Sequence, residues 1–370
     1  MRTFGIKGIL IWIAFMWILS LDTRLSKSEI VCGKTEERYN CFFSVLVFLP
    51  IILWAGFRNG AGYVDTNAYI KFYEMVPTGI NNLINYIKEL HSEDPGFTIY
   101  TSIIKNIFGT SYTPYLFITA SIQGLIIVNF YRKYSSDFML SMFLFIASTE
   151  YFSWIFNGMR QFLAVTIALA GFQLYFDKKY IKYFFIILFA SSVHMSAIVM
   201  LPIAFVARGT PWNKRTLFTI AIALMAVFAT ERFTNVLDSA MQYTQYSETV
   251  GSWMEAADDG TNPVRVLIHA LPTILAFVGR ANLKQVDNPL INISVNMSII
   301  STSLWLISMV TSGIYLGRLP IYASLFNYIL LPFQIENMFT EQSVKMVRII
   351  MIGMYLLYYY YQFHFAWGVI

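Results

Sequence analysis

Uncharged apolar runs of about the length that crosses a bilayer recur along the whole chain, and they restrict its fold more than any other feature. A helix needs about 20 apolar residues to span the hydrocarbon core. Only 13% of the 370 residues are charged, and these cluster between the apolar runs. A membrane barrel needs alternating strands, but residues 184–190 are apolar at every position. The sequence therefore predicts an all-α polytopic integral membrane protein.

The pattern predicts about 10 transmembrane helices within a single transmembrane domain over residues 1–370. We place these helices at 5–21, 41–57, 113–131, 138–156, 160–176, 215–230, 264–279, 290–311, 319–335 and 348–364. Two further segments fit a continuous span poorly, because 97–109 is short and 182–207 is interrupted near His194. We expect both to be re-entrant or broken helices, which occur at membrane depth only beside protein or a water-filled cavity.

Lysine and arginine in short loops indicate the orientation, because such loops stay in the cytoplasm. The basic loops are 22–40, 132–137, 177–182, 208–215 and 280–288. With these loops inside, the long acidic segments 58–112 and 231–263 become outer loops. The only cysteines, Cys32 and Cys41, fall in or beside the first basic loop, so no disulfide framework is expected.

Three arginines fall at the outer membrane boundary in this orientation, namely Arg58, Arg160 and Arg318. Arginine is permanently charged, and its planar fork binds phosphate oxygens in pairs. Several together at one face indicate an anionic substrate such as a pyrophosphate. For each arginine taken singly, the alternative is a contact with lipid headgroups or a helix end.

Four other ionisable side chains are candidates for chemistry. His194 lies between two serines in the interrupted segment, where it is predicted to orient phosphate, to carry a proton or to cap the helix. Glu150 stands in an apolar run, either as a buried acid or as the partner of an arginine. Asp65 and Glu93 are candidate general bases in an outer loop, where most acids are merely solvated.

The motifs of nucleotide and zinc enzymes are missing from the sequence. It contains no P-loop, no glycine-rich dinucleotide turn and no His-Glu-x-x-His. We therefore expect no cofactor and no metal ion, and the energy must come from the substrate or from a gradient.

Several short motifs follow one another in a specific order. They are Gly56, Arg58, Gly62, Asp65, Thr66 and Tyr69; Pro95-Gly96-Phe97; Arg160-Gln161-Phe162-Leu163-Ala164; Ala190-Ser191-Ser192-Val193-His194; and Arg318 before an aromatic-containing span. In this order and spacing, residues 45–335 resemble the EpsG-like members of the Wzy class of bacterial surface polysaccharide polymerases. Val64 is a departure, since relatives often have a small or polar residue there.

The resemblance implies a GT-C-like membrane glycosyltransferase in the bacterial inner membrane, with its active site facing the periplasm or the outside. It would transfer a growing glycan from undecaprenyl pyrophosphate to the non-reducing end of a lipid-linked repeat unit. Lipid-linked oligosaccharide is then both donor and acceptor, and the other expected partners are the bilayer and a chain-length regulator, with no nucleic acid. The glycosyl-pyrophosphate bond supplies the driving force, so the protein has to align two amphiphiles and stabilise the departing pyrophosphate.

The resemblance also suggests roles for the candidate residues. The arginines are hypothesised pyrophosphate ligands, with His194 as an additional ligand or a proton carrier. The organisers of the sugar site are expected to be Asp65, Tyr69 and Gln161. The general base stays open among Asp65, Glu93, Glu150 and water.

Two rival functions use similar groups. A flippase for lipid-linked glycans would also need arginines, but it should carry charges through the midplane and show inverted repeats, and the sequence shows no repeat. An O-antigen-ligase-like enzyme would share the chemistry and differ only in its acceptor. A membrane acyltransferase is more distant, and would place its histidine near a cytosolic acyl donor.

Overall fold

Helices make up most of the structure, which is a computed structural model. It describes residues 2–31, 34–60, 64–89, 94–230, 260–286, 288–313 and 316–367, together with residues 232, 233, 236 and 239. The chain divides into a first unit, Met1–Ile198 with Glu341–Ile370, and a second unit, Val199–Thr340. The prediction of a single transmembrane domain stays a prediction.

The first unit contains most of the helices and one β-hairpin. Its elements are α1 (Arg2–Leu19), β1 (Ser26–Val31), β2 (Lys34–Tyr39), α2 (Cys41–Gly56), α3 (Val64–Met75), α4 (Ile80–Glu89), α5 (Pro95–Phe108), α6 (Thr113–Tyr134), α7 (Phe138–Ala147), α8 (Glu150–Phe156), α9 (Met159–Ala170), α10 (Phe172–Phe176) and α11 (Tyr180–Val193). A helix near the C-terminus, Glu341–Tyr361, also belongs to it and continues as a π-helical turn over Gln362–Ala366.

The second unit contains helices, turns and irregular segments and no strand among its described residues. Its elements are α12 (Met200–Val206), α13 (Lys214–Phe228), α14 (Pro263–Val278), α15 (Arg280–Val286), α16 (Pro289–Val310), α17 (Ile321–Ser324) and α18 (Asn327–Met338), with a 3-10 turn at Leu316–Arg318. The C-terminal helix of the first unit is accordingly α19. Short 3-10 turns also occur at Thr23–Leu25 and Met195–Val199.

Polar side chains cap the apolar helices and satisfy backbone N–H groups at their first turns. The Asn40 side chain accepts from the backbone N–H of Phe43 at the start of α2, and Asp137 accepts from Leu140 at the start of α7. Asn213, Asn262 and Asn288 do the same for α13, α14 and α16. These caps replace the water that a helix end lacks when it lies near lipid.

Glycines let α2 and α6 pack closely together. A Cβ at Gly56 would lie 2.8 Å from the Cα of Phe117, and one at Gly124 would lie 2.6 Å from the side chain of Ile52. Small residues of this kind are typical of helix interfaces in membranes, where close backbone approach supplies the packing energy. The contact fixes the C-terminal end of α2, from which the chain enters the candidate site.

Helix length and composition agree with a membrane protein. Among the described residues, α6 and α16 are long and apolar enough to cross a bilayer, and the bent pairs α7–α8 and α14–α15 raise the number to four if each pair is one span. Shorter apolar helices include α2, α9 and α11. The helical membrane protein is confirmed in outline, whereas the number of about ten spans and the GT-C-like architecture stay predictions.

Three of the predicted straight spans are bent or interrupted. Residues 138–156 form α7 and α8, which meet at 69°. The bend lies at Thr149, whose φ of 61° is unusual for a β-branched residue. Residues 160–176 are likewise divided between α9 and α10, and residues 319–335 between α17 and α18. Apolar composition therefore predicted the segments but not their breaks.

The two poorly fitting segments behave differently from one another. The prediction of a broken helix at 182–207 is confirmed, because α11 ends at Val193 and a 3-10 turn separates it from α12. Residues 97–109 lie almost wholly within the continuous helix α5, so the prediction of a broken helix is wrong for this segment. The re-entrant alternative stays a prediction. The expected outer loop 58–112 also contains α3 and α4, and 231–263 lies almost wholly outside the described residues.

A hairpin forms where the sequence analysis expected only a basic loop, at 22–40. Strands β1 and β2 pair in antiparallel register, with Glu29 opposite Glu36. Facing carboxylates would repel, but each has an arginine partner. Arg132 Nη1 lies 2.9 Å from Glu29 Oε2, and Arg38 bonds to Glu36. Partial burial alone would raise the pKa of Glu29, but its hydrogen bonds and charge interactions with Arg132 and Lys27 prevail, so the pKa is lowered.

Candidate active site

The tight turn between α8 and α9 is the centre of the candidate site. Gly158 lies there, and a Cβ at this position would lie 1.8 Å from the ring of Trp154 and would displace the indole. Helix α9 begins at Met159, so Arg160 stands in its first turn. The N-terminus of a helix attracts anions through its exposed N–H groups and its dipole.

Arg58 holds the α8 side of this turn. The residue is 5% exposed, and Nε donates to Thr66 Oγ1 at 3.0 Å. Nη2 donates to the Phe156 carbonyl at 3.4 Å, and Nη1 donates to the Ala55 carbonyl. The Thr66 hydroxyl donates to the same Phe156 oxygen at 2.9 Å. Phe156 ends α8, where carbonyls lack helical partners, so Arg58 and Thr66 cap this helix and tie it to α2 and α3.

Arg160 lies on the other side of the turn and is far more accessible. Its side chain is 40% exposed, and Nη1 lies 3.1 Å from Asp94 Oδ2. The Arg160 backbone N–H donates to Tyr69 OH at 3.4 Å, which links α9 to α3. The Arg160 Nε is buried and has no hydrogen-bond partner among the described residues. This guanidinium therefore has one buried anchor and one donor still to be satisfied.

Asp94 connects Arg160 to the break that follows α11. The carboxylate is 5% exposed, and its Oδ1 accepts from the Met195 backbone N–H at 2.8 Å. The carboxylate thus bridges two segments that the sequence analysis selected separately. Asp94 itself is a site residue that the sequence analysis missed. The available signal was its position directly before the Pro95-Gly96-Phe97 motif.

His194 ends α11 at this break and is half-buried. Its Nδ1 accepts from the Ser196 backbone N–H at 3.2 Å and lies 2.8 Å from Ser196 Oγ. Because Nδ1 accepts, the hydrogen-bond pattern assigns the proton of the neutral ring to Nε2. His194 therefore caps the helix break with one nitrogen and has a donor on the other.

A close contact brings the start of α5 against the end of α11. A Cβ at Gly96 would lie 2.3 Å from Ser192 Oγ and 2.9 Å from the Ser192 carbonyl oxygen. Only glycine permits this approach. Asp94 thereby comes within reach of Met195. The contact explains why the two motifs have small residues at Gly96 and Ser192.

The remaining predicted residues of the first unit surround the same turn at different depths. Gln161 is buried on α9, and Asp65 is half-buried in the first turn of α3. Glu150 is buried at the start of α8 and accepts from Trp154 Nε1 at 2.9 Å, so it is a buried acid with an indole partner. Glu93 lies outside the described residues.

Arg318 belongs to the second unit. It is exposed at the end of the 3-10 turn Leu316–Arg318. Gly317 beside it packs closely, since a Cβ there would lie 3.0 Å from Thr261 Oγ1. The convergence of Arg318 with Arg58 and Arg160 stays a prediction.

The site has the chemistry of an anion binder. It combines a permanently charged guanidinium, an imidazole and the first turn of a helix. Within the described residues, no group of three or more histidine, cysteine, aspartate or glutamate side chains is arranged to hold a metal ion. Arginine and histidine donors suit phosphate oxygens.

Comparison with known proteins gives one match. The model of the EpsG family matches residues 41–368, a longer range than the motifs indicated. No curated protein and no solved structure matches the chain significantly. The family match confirms the resemblance and indicates a membrane protein with a polysaccharide polymerase-like role.

Proposed function

We propose the following function for this chain, which belongs to the EpsG family. The protein is a membrane glycosyltransferase that polymerises lipid-linked oligosaccharide repeat units. The growing glycan leaves undecaprenyl pyrophosphate and joins the non-reducing end of the next lipid-linked unit. The reaction takes place at the periplasmic or outer face of the bacterial inner membrane.

One observation carries this proposal: the half-exposed guanidinium of Arg160 at the start of α9. Its Nη1 is anchored by buried Asp94, while its Nε has no partner among the described residues. An oxygen-rich dianion such as pyrophosphate satisfies this donor and also gains from the positive end of the helix.

The reaction forms one bond and breaks another. The acceptor hydroxyl oxygen bonds to the anomeric carbon of the donor sugar, and the bond from that carbon to the pyrophosphate oxygen breaks. The bonding electrons leave with the pyrophosphate. The acceptor proton passes to a base or to water, and the candidates for the base remain Asp65, Glu93 and Glu150. Charge on the departing pyrophosphate is stabilised by Arg160 and Arg318, and a single lost donor of this kind costs about 10²- to 10³-fold in rate.

The other residues prepare the site. We assign Arg58 the task of holding the α8–α9 turn, because Nε, Nη1 and Nη2 all donate to acceptors of the protein. His194 donates from Nε2 to a pyrophosphate oxygen or carries the acceptor proton. Asp65, Tyr69 and Gln161 organise the sugars, and the contact of Tyr69 with the Arg160 backbone supports that placement.

A transporter of lipid-linked glycans is the rival from another class. It shares the need for arginines around a pyrophosphate and differs in forming no glycosidic bond. An O-antigen-ligase-like enzyme forms the bond but uses a different acceptor. The product of the reaction therefore separates all three.

The test is a glycan ladder made by the full-length protein in lipid from a synthetic undecaprenyl-pyrophosphate repeat unit. Wild type should give a ladder, and Arg160→Lys and Arg318→Lys should lose it while remaining folded. Arg24→Lys is the matched control, because Arg24 is an exposed arginine paired with Asp22. The absence of a ladder from folded wild type, with lipid-linked glycan crossing the bilayer, would replace the polymerase by a flippase. Transfer to a lipid A core acceptor alone would favour the ligase.

A further inference from the structure

We infer that Asp94 is the counter-ion which Arg160 exchanges for the substrate pyrophosphate and takes back when the product leaves. The inference rests on the proposed function and adds a positioning residue to it. Asp94 touches neither sugar nor pyrophosphate in this scheme. It acts through Arg160, by setting how tightly the site holds an anion.

The two partners of the ion pair differ in their freedom to move. Asp94 is 5% exposed, and its Oδ1 is fixed by the Met195 N–H at 2.8 Å. The Arg160 side chain is 40% exposed and is joined to the carboxylate through Nη1 at 3.1 Å. When an anion arrives, the long arginine side chain therefore adjusts and the carboxylate stays in place.

The guanidinium of Arg160 has separate N–H donors for the Asp94 carboxylate and for a phosphate oxygen. Nη1 faces Asp94, while Nε is buried without a hydrogen-bond partner among the described residues. When the long arginine side chain turns, Nε reaches a phosphate oxygen as the carboxylate contact is lost. The guanidinium then passes between two acceptors and is never left uncompensated, which avoids the cost of an isolated charge near lipid.

The negative charge of Asp94 weakens the binding of pyrophosphate to Arg160. With Asp94 ionised, Arg160 and Asp94 together are neutral, and the fixed negative charge opposes the incoming dianion. Polymerisation needs this opposition, because undecaprenyl pyrophosphate must leave before the next donor binds. Uniformly tight binding of substrate and product adds nothing to turnover once the site is saturated.

The helix break makes this arrangement possible. The N–H of Met195 is available to Asp94 because the chain leaves α11 at His194 and enters a 3-10 turn. The same break directs His194 Nδ1 to Ser196. The interrupted segment therefore fixes the carboxylate that controls Arg160, as well as the imidazole.

Asp94→Asn tests the exchange in the full-length protein reconstituted in lipid nanodiscs. The amide oxygen retains the acceptor for the Met195 N–H, but the charge opposite Arg160 is lost. The probe is undecaprenyl pyrophosphate itself, whose Kd is measured beside the steady-state rate of repeat-unit transfer. We expect Kd to tighten by about tenfold, as for removal of one nearby like charge. KM and kcat should both fall, since product release becomes slow. Asp22→Asn, at the exposed ion pair with Arg24, is the control and should leave Kd, KM and kcat unchanged.

Other outcomes overturn the inference. An unchanged or weaker Kd in Asp94→Asn would show that the carboxylate does not compete with pyrophosphate. A lower kcat with unchanged Kd would identify Asp94 as a general base instead. If Asp94→Asn does not fold, Asp94→Glu decides: its longer, charged side chain should weaken binding, and an unchanged Kd rejects the exchange.

The proposed function fails in a different way. Wild type that neither binds undecaprenyl pyrophosphate nor makes a ladder would remove the function and this inference together. Wild type that does both, beside an Asp94→Asn variant indistinguishable from it, would remove the inference alone.

Discussion

Arg160 Nη1 lies 3.1 Å from Asp94 Oδ2, in an ion pair whose arginine is accessible and whose carboxylate is buried. The neighbouring arginine, Arg58, has the opposite character, since it is buried and donates to two backbone carbonyls and a hydroxyl. The two cations therefore flank one turn in different environments. We propose that the partly exposed Arg160 binds the ligand and that the buried Arg58 stabilises the turn.

Substituting each arginine by lysine should separate these tasks. Arg58→Lys loses the planar fork that reaches Thr66, Ala55 and Phe156, and should lower the free energy of unfolding by about 1–3 kcal/mol. Arg160→Lys retains a charge beside Asp94 and should change stability by less than about 1 kcal/mol while abolishing the ladder. Thermal unfolding in nanodiscs and the ladder assay measure the two effects. A stable, inactive Arg58→Lys protein would restore Arg58 as a direct pyrophosphate ligand.

Thr66→Val should loosen the α8–α9 turn without changing any charge. The hydroxyl accepts from Arg58 and donates to Phe156, and valine has the same shape without either bond. We expect a loss of about 1–2 kcal/mol of stability and a reduced transfer rate. Thr219→Val is the control, because that hydroxyl donates to the Arg215 carbonyl within its own helix. Equal effects of both substitutions on thermal unfolding would contradict a special role for Thr66.

Gly96→Ala should separate α5 from α11. The added methyl would lie 2.3 Å from Ser192 Oγ and 2.9 Å from backbone atoms, so the helices have to move apart. Overpacking of this kind costs about 1–3 kcal/mol, and the displacement of Asp94 from Met195 should also reduce transfer. Gly353→Ala is the matched control in a helix with nothing within 4 Å of the new methyl. It should be neutral or slightly stabilising.

The hairpin β1–β2 should be held to α6 in a pH-dependent way through Glu29. The pKa of Glu29 is lowered in the folded protein, so its contribution to stability is present above the ordinary glutamate value of about 4.3 and is lost as the pH falls through the folded pKa. Glu29→Gln should therefore speed hydrogen exchange of the hairpin amides at pH 7, with the difference shrinking under acid conditions. Glu37→Gln, at an exposed position of the facing strand, is the control. An equal difference at pH 7 and pH 3 would show that Arg132 does not act through the Glu29 charge.

Local physical chemistry explains what the sequence predicted well. Apolar runs of bilayer length indicate membrane helices because hydrocarbon cannot satisfy backbone polar groups. The break near His194 was predictable since serines and a histidine interrupt an apolar run, and the structure ends α11 there. The motifs around Arg58 and Arg160 also identified the family, which the match over residues 41–368 confirms.

Only the tertiary structure decided how these parts are used. The sequence gives Arg58 and Arg160 the same chemistry, but packing buries one against Phe156 and leaves the other partly exposed beside Asp94. The left-handed Thr149 and the hairpin at Glu29 were not predictable, because neither has a local signal stronger than its apolar or charged surroundings. Residue type and hydrophobic period are local properties, and they determined the membrane location, the helical segments and the positions of the arginines in the sequence. Partner choice and burial depend on contacts between segments far apart in the chain, so they emerge only when the helices pack.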